Sequence, residues 1–309
     1  MAYQLRRTES IADGLRRLAR KELRSARARL RRALPPSVEA VHEARKSVKK
    51  VRTIVQVVEA DEASGLAKAR KRLTTVNRVL SRLRDADAML EILRKLRKRN
   101  PHVLSEHTMA RLRRRLEAHK REVMAAAERA DEWTEVRETL HRLLEASKKW
   151  RSSHRSFRAL GTGVRATHQR GRNAMARAQR RQWGVDFHRW RKQIKKLMYE
   201  LRMVAESDPA IQIHILALHR AETWLGDDHN VDVLCRHLRG ESTLGADDLR
   251  RLWQAGTRYQ RALRRKAITS VNAIYSIDSD DFVRVLKRSW KAWHKGVESS
   301  RKTARKTAA

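Results

Sequence analysis

Helix breakers are almost absent from this sequence. Its 309 residues include four prolines, Pro35, Pro36, Pro101 and Pro209, and these fall at three sites. Proline removes a backbone donor and clashes with the preceding turn, so each site marks a break between helices. Between the breaks the chain is rich in Ala, Leu, Arg, Lys and Glu, which are strong helix formers. No stretch alternates apolar and polar residues at the period of two that a half-buried strand needs. The pattern predicts an all-α chain. Helices are expected over about 8–33, 38–60, 63–98, 105–130, 132–149, 156–182, 185–206, 210–239, 246–275 and 280–296. Ser37 is placed to cap the second of these. The β-branched stretch 268–277 is kept as the end of a helix, and the tail beyond 296 is expected to be disordered.

Within that helical frame one stretch stands apart, VHEARKSVKKVR at 41–52. At about 100° per residue, His42, Arg45, Lys46 and Lys49 fall on one stripe, flanked by Lys50 and Arg52. Ala44, Val48, Val51 and Val55 point the other way, as a core seam. The stretch returns as HRWRKQIKKLM at 188–198. His188, Arg191, Lys192, Lys195 and Lys196 keep the offsets of the first strip, and Ile194 and Leu197 replace Val48 and Val51. Basic composition alone readily gives one such strip. Two, with the histidine in the same place, indicate an ordered feature.

Charge says what such strips attract. Lys and Arg total 73 against 35 Asp and Glu, a formal net charge of +38. That excess is far more than solubility requires, and it draws polyanions. Aromatic residues are only 5% of the chain, which disfavours a single-strand nucleic-acid binder built on stacking platforms. All eight tryptophans lie at or after Trp133, where they read as core or interface anchors. Cys235 is the single cysteine, so no disulfide forms within the chain, and a reducing, cytosolic compartment is expected. No apolar run approaches the roughly 18 residues of a membrane span.

Catalytic and metal signatures are weak. No two histidines stand four apart, and His42-Glu43 lacks the second histidine of a zincin motif. Gly161 and Gly163 lack the Gly-Lys-Ser/Thr that would complete a phosphate loop. No local Ser/His/Asp or Cys/His arrangement suggests a nucleophile. The expectation is a binding protein rather than an enzyme, without cofactor or metal.

The second part of the chain follows the order of the first. LSRLRDADAML from Leu80 corresponds to LGDDHNVDVL from Leu225: Ser81 matches Gly226, Asp85 matches Asn230 and Asp87 matches Asp232. This spacing agrees within one residue with that between the strips, which points to a tandem helical repeat. The expected division is 1–150, 151–279 and a terminal piece at 280–309, with each repeat approximating a four-helix bundle.

The double strip, with His42, Arg45, Lys49 and Lys50 in one copy and His188, Arg191, Lys195 and Lys196 in the other, resembles the motif of the CHAD family, the conserved histidine α-helical domain. The segments Leu80 to Asp87 and Leu225 to Asn230 look like the third-helix signatures of that family, and Arg165 to Arg172 like its basic helix. The resemblance covers about 8–275. It departs at Met198, where Arg52 has no counterpart, and at His229, which stands in the place of Arg84.

The resemblance implies two bundles related by a pseudo-twofold axis with a basic channel between them. It also implies non-catalytic binding of inorganic polyphosphate, and for some members association with polyhydroxyalkanoate granules. Some family members are fused to a triphosphate tunnel domain; the Glu-x-Glu-x-Lys strand of that domain has no match here. The expected ligands are His42, Arg45, Lys46, Lys49, Lys50, Arg52, His188, Arg191, Lys192, Lys195 and Lys196, with Arg82, Arg84, Arg165 and Arg172 added from adjacent helices. A row of cations suits a polymer of repeated charge that offers no side groups to read. Two other readings share the polyanion logic: a nucleic-acid-associated basic protein, and a granule-surface scaffold with granule-associated partners. The expected location is cytoplasmic, including polyphosphate or polyhydroxyalkanoate granules.

Overall fold

The computed structural model describes residues 3–31, 35–61, 66–150, 157–239 and 244–307, with side chains omitted at 60, 61, 159 and 296–307. Among the described residues there are ten α-helices and no strand. They are α1 (Ile11–Arg31), α2 (Val38–Asp61), α3 (Ala67–Arg99), α4 (Glu106–Arg129), α5 (Glu132–Ala146), α6 (Phe157–Arg181), α7 (Gly184–Met203), α8 (Pro209–Leu238), α9 (Ala246–Ser276) and α10 (Ser279–Thr307). Short 3₁₀ turns follow α5 and α7.

The predicted breaks hold where they are described. Ser37 Oγ accepts from the Ala40 amide at 3.1 Å and so satisfies one of the orphan donors of α2. Pro209 opens α8, where a missing N–H costs nothing, behind the capping carboxylate of Asp208. The β-branched stretch at 268–276 is helical to the end of α9. Beyond Phe282, α10 continues to Thr307, through the stretch expected to be disordered. The SSHRS connector lies outside the described residues.

Neighbour relations repeat along the chain. In the first segment α1 packs on α2, α2 on α3, α3 on α4, and α5 returns to α1. In the second segment α6 packs on α7, α7 on α8, α8 on α9, and α10 returns to α6. Among the described residues each segment thus carries five helices, as many as the sequence predicts, and α10 takes the place that α5 has in the first.

The two segments nevertheless share their interiors. One hydrophobic core joins α1, α2 and the start of α3 to α6, α7, the start of α8 and the end of α9. A second joins the end of α3 and α4 to the end of α8 and the start of α9. The long helices α3 and α8 touch and run through both cores, so each core mixes residues from either side of the 150/151 boundary.

The location of α2 matters most for function. Val48, Val51, Ile54, Val55 and Val57 are at most 1% exposed. Five β-branched residues lower helix propensity, so burial and not propensity holds this helix. It lies against α1, α3, α6 and α7. Its cationic strip therefore faces protein as well as solvent.

Candidate anion-binding site

Helices α2 and α7 bring the two strips together. Lys49 lies within electrostatic reach of Lys195, Arg45 and Arg191, and its amine is held well below the usual lysine range, by burial first and by those cations next. Arg45 in turn feels Arg191 as well as Arg84. Arg52 and Lys192 form a second like-charged approach across the two helices. Arg45, Lys49, Arg191 and Lys195 thus form one cluster although they come from separate parts of the sequence.

The cluster contains two carboxylates. Glu222 of α8 is 8% exposed. It accepts from Arg191 Nη2 at 2.7 Å, Arg191 Nε at 3.1 Å and Lys195 Nζ at 2.7 Å. These contacts outweigh the cost of burial and hold its carboxyl well below the usual range. Asp85 of α3 lies near Arg45, Lys49, Arg84 and Arg191, yet burial dominates and raises its pKa.

Local sequence explains how each arginine is seated. Arg45 Nε donates to Ser81 Oγ at 3.1 Å. At the corresponding place in α8 stands Gly226, where a Cβ would come within 2.9 Å of Arg191 Nη2. The missing side chain lets the Arg191 guanidinium lie against α8, where its Nε also donates to the Glu222 carbonyl at 3.2 Å.

The histidines are held neutral. His188 stacks on His229 with ring centroids 3.9 Å apart. The His188 pKa falls to about 4, through burial first and then Lys192, Arg191, Lys49 and Arg236. That of His229 falls to about 3, again led by burial. His42 is lowered by burial, Lys46 and Arg84. Asp87 accepts from Arg84 at 2.9 Å and Lys120 at 2.9 Å. Arg84 also reaches Glu91.

Other expected ligands lie elsewhere. Lys46 is exposed and pairs with Glu43. Lys50 turns to the far side of α2, where Glu22 of α1 accepts from Lys50 Nζ at 2.9 Å and Ser47 Oγ at 2.7 Å. Lys196 behaves alike: its Nζ lies 3.7 Å from Glu200 Oε1, which also accepts from Thr167 Oγ1 at 2.9 Å. Arg82 pairs with Glu132, Arg165 with Asp280 and Arg172 with Asp278. Their partners lie on α5, in the α9–α10 turn and in the first turn of α10. Met198 is buried at 2% exposure, so the second strip gives up a cation to the core.

Glu200 offers a separate check. It is fully buried, and desolvation raises its pKa to about 7 despite Lys196 and Thr167. A carboxylate whose folded pKa lies above its unfolded value stabilises relatively at low pH and loses that contribution as pH rises toward 7. Between pH 5 and pH 8 the stability of Glu200→Gln relative to the wild type is therefore expected to shift in the variant's favour by up to about 3 kcal/mol, at 1.36 kcal/mol per pKa unit, on top of a pH-independent cost of leaving Lys196 without its partner. Denaturant unfolding at the two pH values measures the difference, and equal shifts at both would contradict it.

Among the described residues no group of three or more His, Cys, Asp and Glu could hold a metal ion, and no helix is long and apolar enough to cross a membrane. Cys235 is half-buried against the second core, and burial raises its thiol to about 11, far from a reactive thiolate.

Comparison with known proteins shows the family and the fold. The family model described as CHAD domain matches residues 17–239, more than two thirds of the chain. The chain belongs to the CHAD family. The matched region of this CHAD protein contains both strips, Ser81, Glu222, Gly226 and His229. Two solved structures share the fold. PptA from Streptomyces chartreusis is 15% identical with a TM-score of 0.64, over 85% of this chain and 100% of its own. The CHAD domain from the plant Ricinus communis is 16% identical with a TM-score of 0.59, over 93% of this chain and 94% of its own. No curated protein matches the chain.

Glu222 escaped the sequence reading. A signal was present: it sits beside Ala221 on the stripe that also carries Leu218 and Leu225, all buried in α8. An acid on a core stripe needs a cation, and the second strip supplies two. Glu22 on the seam of α1 carries the same signal for Lys50.

Proposed function

We propose that this CHAD protein binds inorganic polyphosphate along the line where α2 and α7 face each other, and that it does so without catalysis. The observation that carries this reading is the gathering of Arg45, Lys49, Arg191 and Lys195 from two strips into one cluster. Burial first, and the neighbouring like charges after it, hold the lysine amines below their ordinary range. An arriving polyanion offsets the repulsion among these cations, and it releases its own counterions as well. His42, His188 and, from α8, His229 line the same region as neutral donors. The polymer is the principal partner, with granule-associated proteins where it accumulates. The expected location is cytoplasmic, including polyphosphate or polyhydroxyalkanoate granules. The basic channel and the pseudo-twofold relation of the segments belong to this reading, which the repeated order of helix contacts supports.

Competition separates this reading from nucleic-acid binding. At physiological salt, long-chain polyphosphate is expected to displace random duplex DNA by a wide margin, whereas a tie or a win for DNA would overturn the assignment. The same titration should show proton uptake. In the free protein His188 is neutral at pH 7, with a pKa of about 4. A phosphate beside it raises that value, so affinity should increase as pH falls from about 7.5 to 5.5. Calorimetry in buffers of different ionisation enthalpy reads the protons directly.

A further inference from the structure

The two strips are unequal in one respect that bears on which phosphates can bind. Arg191 and Lys195 already hold an anion, since Glu222 accepts hydrogen bonds from both. Counting back by the spacing that relates Leu225 to Leu80, the corresponding residue of α3 is the neutral Asn77. Its Oδ1 is buried without a hydrogen-bond partner, and its Nδ2 lies 3.4 Å from the Ser81 hydroxyl that receives Arg45. The second strip's cations are hydrogen-bonded to a carboxylate, whereas the first has an amide at that place and only Asp85 within electrostatic reach of Arg45 and Lys49.

We propose that Glu222 is a built-in counter-anion that occupies the phosphate position of the second strip and so sets the minimum chain length this protein binds. The inference rests on the polyphosphate reading. A carboxylate fixed beside Arg191 and Lys195 competes as an intramolecular ligand at high effective concentration. A short phosphate in free solution cannot match it. A long chain anchored on Arg45 and Lys49 brings its next phosphates to the second strip by the same intramolecular advantage.

The test compares tripolyphosphate with long-chain polyphosphate on the wild-type protein, on Glu222→Gln and on Asn77→Glu, at one salt concentration. Glu222→Gln is expected to tighten tripolyphosphate at least tenfold and the long chain by less, so that selectivity for length shrinks. Asn77→Glu, which adds a third carboxylate to the cluster, should weaken both ligands. An unchanged tripolyphosphate Kd in a folded Glu222→Gln protein would overturn the proposal. If that variant fails to fold, Asn77→Glu decides, and unchanged binding there overturns it. Failure of the wild-type protein to bind long-chain polyphosphate would bring down the functional reading itself, a result distinct from wild-type binding without an effect of Glu222.

Discussion

Replacing Arg45 by Gln and Lys49 by Met together is expected to weaken polyphosphate binding about a hundredfold or more without lowering stability. Hydrogen bonds to charged groups contribute about 1.5–3 kcal/mol each, and two are removed, so the loss exceeds about 3 kcal/mol. Neither side chain is bound to Glu222; Arg45 donates to Ser81. Lys49 is a buried amine crowded by three cations, and methionine fills comparable space with no charge to desolvate. The thermal midpoint should hold or rise while affinity falls. The salt dependence should fall as well, by roughly two phosphate contacts. Titration calorimetry and thermal melts on the same preparation measure both, and an unchanged Kd would remove α2 from the site.

Arg191→Glu is expected to fail differently. By sequence correspondence Arg45 and Arg191 are equivalents, and charge reversal at either reads as a change to binding alone. The structure separates them. Arg191 makes three hydrogen bonds to Glu222, two of them to the carboxylate. A glutamate there would set two carboxylates together in a buried site with only Lys195 bonded to Glu222. Breaking a buried pair costs about 3–5 kcal/mol, and like charge adds to it. Denaturant unfolding should show a large drop in midpoint for Arg191→Glu. The double change at Arg45 and Lys49 should show none. Equal stability of the two proteins would mean that Glu222 is not held as described. Arg191 is therefore unsuitable for testing binding by charge reversal, because lost affinity and lost folding would coincide.

Much of the candidate site is legible in the sequence alone. The strips declare themselves because a helix repeats its faces every 3.6 residues, so cations and valines separate by spacing alone. That His42 and His188 would be neutral follows from the surrounding charge. Burial turns out to be the larger cause, and burial depends on helices distant in sequence. Lys50 and Lys196 match the family motif but pair with the buried carboxylates of Glu22 and Glu200. A lysine flanking a stripe can reach either side: for Lys50 the carboxylate of the neighbouring α1 decides which, and for Lys196 a carboxylate one turn along its own helix.

Sequence by itself determined the helices, their breaks and the two basic strips, because these depend on proline, helix propensity and local periodicity, which act over a few residues. Family membership was also readable there, carried by motifs lying within single helices. Tertiary structure decided which cations meet. Arg45, Lys49, Arg191 and Lys195 converge because α2 and α7 pack together, while Arg82, Arg165 and Arg172 are drawn off by carboxylates on α5, in the α9–α10 turn and in the first turn of α10. It also decided that Glu222 would enter the cluster, through a contact between α7 and α8. The physical reason is range. Helix formation is settled by neighbours three and four residues apart, whereas the charge state of a buried group is settled by whatever the fold places within a few ångströms of it.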